Sequence, residues 1–166
     1  MTMTRRVALL GGAAALAGCA GDNKFRSYNG PEVTRVIVAK GNRDVFLLHH
    51  RKVLKRYKAH LGFAPAGHKR IEGDGRTPEG HYLIDRRNPN SAYHLSIGID
   101  YPNERDIAYA QAMGQSPGGD IFIHGEPNTF SVSRADWTAG CIAVTNPEME
   151  DIYAMVRNGT PITLLA

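Results

Sequence analysis

Short stretches rich in apolar and β-branched residues predict a mainly β domain. Val33 to Ala39 and Asp44 to His49 are two such stretches, and residues 40–43 between them have the composition of a hairpin turn. Val53 to Ala59 has the same character. Tyr93 to Ile99 alternates apolar and polar residues, as expected for a strand with one buried face. We therefore expect an antiparallel fold that resembles a β-sandwich.

One helix is predicted near the end of the chain, over residues 147–158. Asn146 is suited to cap it, a proline follows at the first helical position, and Gly159 is suited to end it. Apolar residues three and four positions apart predict one buried stripe: Met149, Ile152, Tyr153 and Val156. A last strand follows over 161–165, and a second, shorter helix is expected near 105–113.

The first nineteen residues have the pattern of an export signal. Two arginines precede an apolar run of about eleven residues, too short to span a bilayer, and the run ends in the sequence LAGC, residues 16–19. This ending resembles a bacterial lipobox, which would make Cys19 the lipidated first residue and anchor the protein to a membrane. The alternative is a plain secretory signal, and the paired arginines are similar to a twin-arginine signal. Residues 20–32 are predicted to be a tether and 33–166 the folded domain, located in the periplasm or cell envelope.

Composition and charge exclude several classes of function. The 166 residues suffice for one domain with its own core. The formal net charge is +4, and without the two leader arginines 18 basic and 16 acidic side chains remain, a net charge of +2. So mild a charge, with no nucleic-acid-binding motif, argues against a nucleic-acid partner. The histidines show no spacing typical of zinc ligands, so we expect no metal. We also expect a monomer.

The candidate chemistry lies within residues 121–146. His124 ends a short apolar run and Cys141 follows seventeen positions later, and each is beside a glycine, Gly125 or Gly140. An imidazole within hydrogen-bond reach of a thiol takes its proton and leaves a thiolate nucleophile. Small residues beside the nucleophile let backbone N–H groups approach a developing oxyanion. Two strands that end side by side, joined by a long excursion, would bring the histidine and the cysteine together.

These residues resemble the L,D-transpeptidase catalytic domain family (YkuD-like). The family's signature is His-Gly, a loop and then Ser-His-Gly-Cys, and the second part here has the sequence TAGCI at 138–142. Three other stretches are similar to family motifs: a glycine-rich loop at 73–80, Tyr-Pro-Asn at 101–103, and Gly-Thr-Pro-Ile at 159–162. The loop at 73–80 is too rich in glycine for a regular element, and we expect it on the rim of the active site.

The sequence departs from the family pattern at three positions. Thr138 replaces a serine, which exchanges one hydroxyl for another, and Ala139 replaces the second histidine. Ala143 stands where arginine, a candidate anchor for a substrate carboxylate, is common. With these changes the stretch resembles a smaller, lipoprotein-like branch of the family. The resemblance implies the family's chemistry and leaves the details of the substrate open.

The resemblance implies a cysteine acyl-enzyme mechanism in peptidoglycan biosynthesis. Cys141 would attack the L,D peptide bond of a tetrapeptide stem, and His124 would act first as base and then as acid. Gly140, Thr138 and Gly125 would shape the turn and the oxyanion site. An amine would take the thioester in transpeptidation, and water would take it in carboxypeptidase or amidase action. No metal or organic cofactor is needed.

Other residues and other functions remain open at this stage. His94 on the polar face of its predicted strand, Tyr101 and Trp137 are candidates for substrate contact, with packing as the alternative for Trp137. A hydrolase that trims stem peptides or detaches wall-linked lipoproteins is one alternative function. A non-catalytic wall-binding lipoprotein is another, raised by Ala139 and Ala143.

Overall fold

A computed structural model describes residues 23–166, which form a curled eight-stranded sheet and two α-helices. The predicted export signal and its Cys19 lie outside the described residues. The strands are β1 (Arg35–Ala39), β2 (Asp44–His49), β3 (Lys52–Lys58), β4 (Gly80–Asn88), β5 (Ser96–Ile99), β6 (Phe122–His124), β7 (Ile142–Ala143) and β8 (Pro161–Leu165). Helix α1 (Glu104–Ala112) lies between β5 and β6, and α2 (Asn146–Met155) lies between β7 and β8.

The strand order is β3-β2-β1-β8-β4-β5-β6-β7. The predicted mainly β class is confirmed, but the sheet is mixed, because β1 pairs with β8 and β6 pairs with β7 in parallel. A parallel pair needs a long crossover connection instead of a tight turn. The seventeen-residue step from His124 to Cys141 provides one for β6 and β7.

The core lies between the sheet and helix α2. Alternate strand residues are fully buried there: Val36 and Val38 in β1, Ile97 and Ile99 in β5, and Ile162 and Leu164 in β8. The strand predicted over 93–99, with one buried and one polar face, is wrong in its length and in its burial. The strand begins only at Ser96, and all four of its residues are buried. Its second face is covered because the Arg86 side chain lies over Gly98.

Helix α2 begins and ends earlier than predicted. Its N-cap is Thr145, whose N–H and hydroxyl both donate to the Glu148 carboxylate in a reciprocal capping arrangement. Asn146, the predicted cap, instead accepts a hydrogen bond from the Glu126 N–H at 2.8 Å. The helix ends at Met155, because Val156 is already extended and is buried in the core. The shorter helix expected near 105–113 is confirmed as α1.

Candidate active site

The pairing of β6 with β7 brings the two candidate catalytic residues onto one face. His124 is the last residue of β6 and pairs with Ala143, whereas Cys141 immediately precedes β7. Residues two apart in a strand, and direct cross-strand partners, point to the same side of a sheet. Cys141 and His124 therefore face the same space, and both line the same two cavities. The strands are parallel, so the last residue of β6, His124, lies beside the last residue of β7, Ala143.

His124 is held as a neutral base. Its ring is buried, and Nδ1 lies 2.7 Å from the Gly125 carbonyl oxygen. A carbonyl oxygen only accepts, so Nδ1 carries the proton and Nε2 of the neutral ring has its lone pair available. Burial lowers the pKa of His124 below its ordinary value, although the bond to Gly125 opposes the shift. The aromatic rings of Tyr93 and Trp137 enclose the imidazole at centroid distances of 4.5 and 5.6 Å.

Cys141 is held as a thiol. Burial raises the pKa of its sulfur, and a hydrogen bond from the Phe122 backbone N–H opposes the rise only in part. The thiol donates to the Asp120 carbonyl oxygen at 3.5 Å, and in the described structure it has no hydrogen bond to His124. The resting pair is therefore a thiol and a neutral imidazole.

The turn before the cysteine is fixed by Thr138 and Gly140. The Thr138 hydroxyl accepts from the Gly140 N–H at 3.1 Å and donates to the Cys141 carbonyl oxygen at 2.7 Å. Gly140 has φ +138°, and a Cβ there would lie 2.7 Å from the Arg76 carbonyl oxygen. The Gly140 N–H, an expected oxyanion donor, is thus occupied by Thr138. The Cys141 N–H has no acceptor among residues 23–166, so it is the available donor.

Two cavities meet at Cys141. One has a volume of about 500 Å³ and lies beside the loop 130–134 and Trp137, and the other, of about 310 Å³, lies beside residues 88–93 and Asp120. The residues that line both are Tyr93, His124 and Cys141. A larger cavity of about 570 Å³ beside α1 includes none of these three residues. The sulfur is thus reached from two sides.

The comparisons decide the family. The chain matches the model of the L,D-transpeptidase catalytic domain, YkuD, over residues 33–164. The chain belongs to this family. It is 26% identical over 152 residues to YafK of Escherichia coli strain K12, whose name places it among the L,D-transpeptidases; the match covers 89% of this chain and 56% of YafK.

Solved structures agree with this assignment. The helical cell shape determining protein Pgp2 of Campylobacter jejuni is 28% identical, with a TM-score of 0.63, covering 86% of this chain and 50% of that protein. Bd1075 of Bdellovibrio bacteriovorus is 25% identical, with a TM-score of 0.54, covering 80% of this chain and 47% of that protein. The chain spans about half the length of the relatives that it matches.

Of the three predicted substrate-contacting residues, only Trp137 lines a cavity at the nucleophile of this L,D-transpeptidase domain. His94 has φ +66°, and its Nε2 lies 2.8 Å from the Glu150 carboxylate. Tyr101 is buried, with its hydroxyl donating to the Pro117 carbonyl oxygen. Neither His94 nor Tyr101 lines the two cavities.

Sequence reasoning missed two residues. Tyr93 lines both cavities and stacks on His124, but the strand pattern assigned it to the core. Lys40, in the predicted hairpin turn, is 2% exposed and donates to the carbonyl oxygens of Gly67 and Thr77 and to the Glu79 carboxylate. The signal available for Tyr93 was its position at the beginning of an otherwise apolar strand. A lysine in a turn gives no signal of burial.

The loop at 73–80, predicted on the rim of the active site, lies against the turn before Cys141 and lines neither of the two cavities there. Its Arg76 carbonyl oxygen faces Gly140, and Thr77 accepts a hydrogen bond from the Gly62 N–H at 3.1 Å. Asp74 accepts from three backbone N–H groups, those of Arg70 and Ile71 just before the loop and that of Arg76 within it. Burial alone would raise the pKa of Asp74, but these N–H groups lower it overall. These hydrogen bonds hold the loop of this L,D-transpeptidase domain against the turn before Cys141.

Proposed function

We propose that this chain is a peptidoglycan L,D-transpeptidase that works through an acyl-enzyme on Cys141. The observation that carries the proposal is the joint lining of two cavities by the Cys141 thiol and the His124 imidazole, whose Nε2 is available as a base. Membership of the L,D-transpeptidase family supports the same assignment. The substrate class is the tetrapeptide stem of peptidoglycan.

In the first half-reaction Cys141 is acylated. The thiol leaves the Asp120 carbonyl oxygen and gives its proton to His124 Nε2, and the thiolate attacks the carbonyl carbon of the L,D peptide bond. The carbonyl oxygen becomes an oxyanion that the Cys141 N–H stabilises. The C–N bond then breaks, and the imidazolium returns the proton to the departing amine of D-alanine. The product is a thioester and neutral His124.

In the second half-reaction an amine of another stem peptide takes the acyl group. His124 accepts a proton from the amine as its nitrogen attacks the thioester, and the proton then returns to the Cys141 sulfur. Transfer between two peptides requires access for both, and the two cavities that meet at Cys141 support this step. Water as acceptor would instead give a carboxypeptidase or amidase.

The proposed location is the cell envelope, with export by the N-terminal signal and a lipid on Cys19. No helix within residues 23–166 is long and apolar enough to cross a membrane. The name of Pgp2, a relative that determines cell shape, supports a role in remodelling the wall. The lipid is tested by metabolic labelling with a fatty-acid probe, which should be lost in Cys19→Ala.

The reaction is tested on protein lacking residues 1–19, incubated with disaccharide-tetrapeptide and followed by mass spectrometry. We expect an adduct on Cys141 with loss of D-alanine, absent in Cys141→Ala and His124→Ala. A substrate that ends in L-alanine is the matched control and should give no adduct. Cross-linked dimer as product supports transpeptidation, whereas free tripeptide shows hydrolysis. A folded protein that gives no adduct would contradict the enzyme and favour the wall-binding alternative.

A further inference from the structure

The first described residues lie against the outside of one wall of the active site. This cavity wall comprises residues 88–93, whose inner side lines the cavity of about 310 Å³ beside Cys141. On its outer side the Lys24 ammonium donates to the Pro89 carbonyl oxygen at 2.7 Å and to the His94 carbonyl oxygen at 3.1 Å. One side chain thus joins the two ends of the turn that forms the wall. The predicted tether is therefore in contact with the domain from Lys24 onward.

The neighbours of Lys24 hold it in place. Arg26 forms ion pairs with Glu150 and Asp151 on α2, at 2.8 and 2.6 Å. The Phe25 ring lies 6.1 Å from the ring of Tyr153 on the same helix. Glu150 also accepts from His94, so the N-terminal segment and the wall share one carboxylate. These contacts fix the backbone that follows Lys24 to helix α2.

On the inner side, the cavity wall touches the catalytic histidine. The Tyr93 ring lies 4.5 Å from the His124 ring, and the Gly125 N–H donates to the Tyr93 carbonyl oxygen at 3.0 Å. The wall is also joined to Asn128, whose side chain accepts from the His94 N–H at 3.1 Å and whose N–H donates to Ala92 at 3.0 Å. A movement of the wall would therefore move Tyr93 relative to His124.

We propose that Lys24 is a positioning residue that sets the width of the cavity between Tyr93 and Cys141. Its ammonium holds two backbone carbonyl groups that repel each other when left without a common donor. The effect of Lys24 on the reaction rests on the proposed function, in which this cavity admits one of the two reactants. Lys24 follows Cys19 by five positions, so the stretch after the predicted lipid attachment site is the one that braces the active site.

The positioning role of Lys24 is tested by hydrogen exchange on the full chain in detergent micelles. The variants Lys24→Met, Lys24→Arg and Lys52→Met are compared with the unchanged protein. Lys52 is exposed on strand β3 and forms no ion pair among residues 23–166, so it is the matched control. In Lys24→Met we expect amides of peptides covering 89–95 and 125–129 to exchange about threefold to tenfold faster, because both hydrogen bonds from the Lys24 ammonium are lost. Lys24→Arg should restore most of the protection. Exchange equal to that of Lys52→Met would overturn the proposal.

The effect on the site is tested by two further measurements on the same variants. Alkylation of the Cys141 peptide by iodoacetamide, which needs no substrate, should be about threefold faster in Lys24→Met because the wall opens. Acylation by the stem tetrapeptide should be slower, and the acid limb of its pH profile should move upward because His124 becomes less buried. Faster exchange with unchanged alkylation would reduce Lys24 to a surface contact and overturn the proposal. Failure of the unchanged protein to acylate counts against the proposed function alone, since exchange and alkylation still decide the role of Lys24.

Discussion

The Nδ1 atom of His124 donates to the carbonyl oxygen of the next residue, Gly125, at 2.7 Å. The carbonyl turns back because Gly125 has no side chain: a Cβ there would lie 2.6 Å from the Asn146 carboxamide oxygen and 3.1 Å from the His94 Cβ. The His-Gly pair in the sequence thus fixes the tautomer of the base. It also explains why an Nε2 lone pair is available for the Cys141 proton.

The buried imidazole predicts the acid limb of the pH–rate profile. Acylation requires neutral His124, and burial lowers its pKa, so activity should persist below pH 6.5, the ordinary value for histidine. The acylation rate should fall only as the pH drops through the lowered pKa of folded His124, because protonation of the ring removes the base. We expect Trp137→Ala, which opens one side of the ring, to move the limb upward. The measurement is kcat/KM for acylation between pH 4.5 and 8.

The same pKa shift predicts a loss of stability at low pH that serves as a control. Unfolded His124 binds a proton below about pH 6.5 while the folded ring does not, so its contribution to stability falls as pH decreases below that value. His124→Gln should flatten this part of the curve in urea denaturation. An acid limb above pH 6.5 in the unchanged protein would show a protonated resting imidazole and contradict the neutral pair.

The placement of His124 and Cys141 side by side could be predicted from the sequence because local features carry it, whereas their catalytic roles stay a prediction. The sequence has a histidine and a cysteine, each beside a glycine and separated by a long connection. Two adjacent strands are enough to bring them together, and β6 and β7 are such a pair. Thr138 was also correctly expected to orient its turn by hydrogen bonding. The mainly β class followed from short stretches rich in apolar and β-branched residues, such as the one that contains the fully buried Val36 and Val38.

The parts that could not be predicted depend on contacts between distant residues. Tyr93 leaves the sheet because the backbone reverses at His94, where φ is +66°, and no local pattern indicates that turn. Lys40 is buried because the loop at 67–79 closes over it. Gly140, predicted as an oxyanion donor, is occupied by a hydroxyl two residues away, which the sequence leaves open.

Thr138 should matter through its hydroxyl and not through its size. Thr138→Val leaves the buried Gly140 N–H and the Cys141 carbonyl oxygen without their partner, which should cost about 2–4 kcal/mol of the free energy of unfolding. The acylation rate should fall at least about tenfold because the nucleophile's turn loosens. Thr138→Ser keeps both hydrogen bonds and should retain most of the activity. Urea denaturation and acylation kinetics measure the two effects, and equal behaviour of the valine and serine variants would contradict this role.

Gly140 should tolerate no side chain. In Gly140→Ala the new Cβ meets the Arg76 carbonyl oxygen at 2.7 Å on a backbone with φ +138°. We expect a loss of about 3 kcal/mol or more in stability. Gly114→Ala is the matched control, because φ there is +67° but no atom lies within 4 Å. It should lose only about 1–2 kcal/mol, the cost of the left-handed conformation. Equal losses in urea denaturation would show that the contact with Arg76 is unimportant.

Lys40 should stabilise the loop that supports the cysteine turn. Burial lowers the pKa of this ammonium, although Glu79 opposes the shift. Its three hydrogen bonds join the turn that follows β1 to Gly67, Thr77 and Glu79. Lys40→Met keeps the length of the side chain but removes every donor, so we expect a loss of about 2–4 kcal/mol in urea denaturation. Acylation should also slow, because the same loop places the Arg76 carbonyl oxygen against Gly140.

Lys52→Met, on an exposed strand position, should change stability by about 0.5 kcal/mol or less. A Lys40→Met protein with full activity at a temperature where it is folded would show that the loop holds its place without the ammonium.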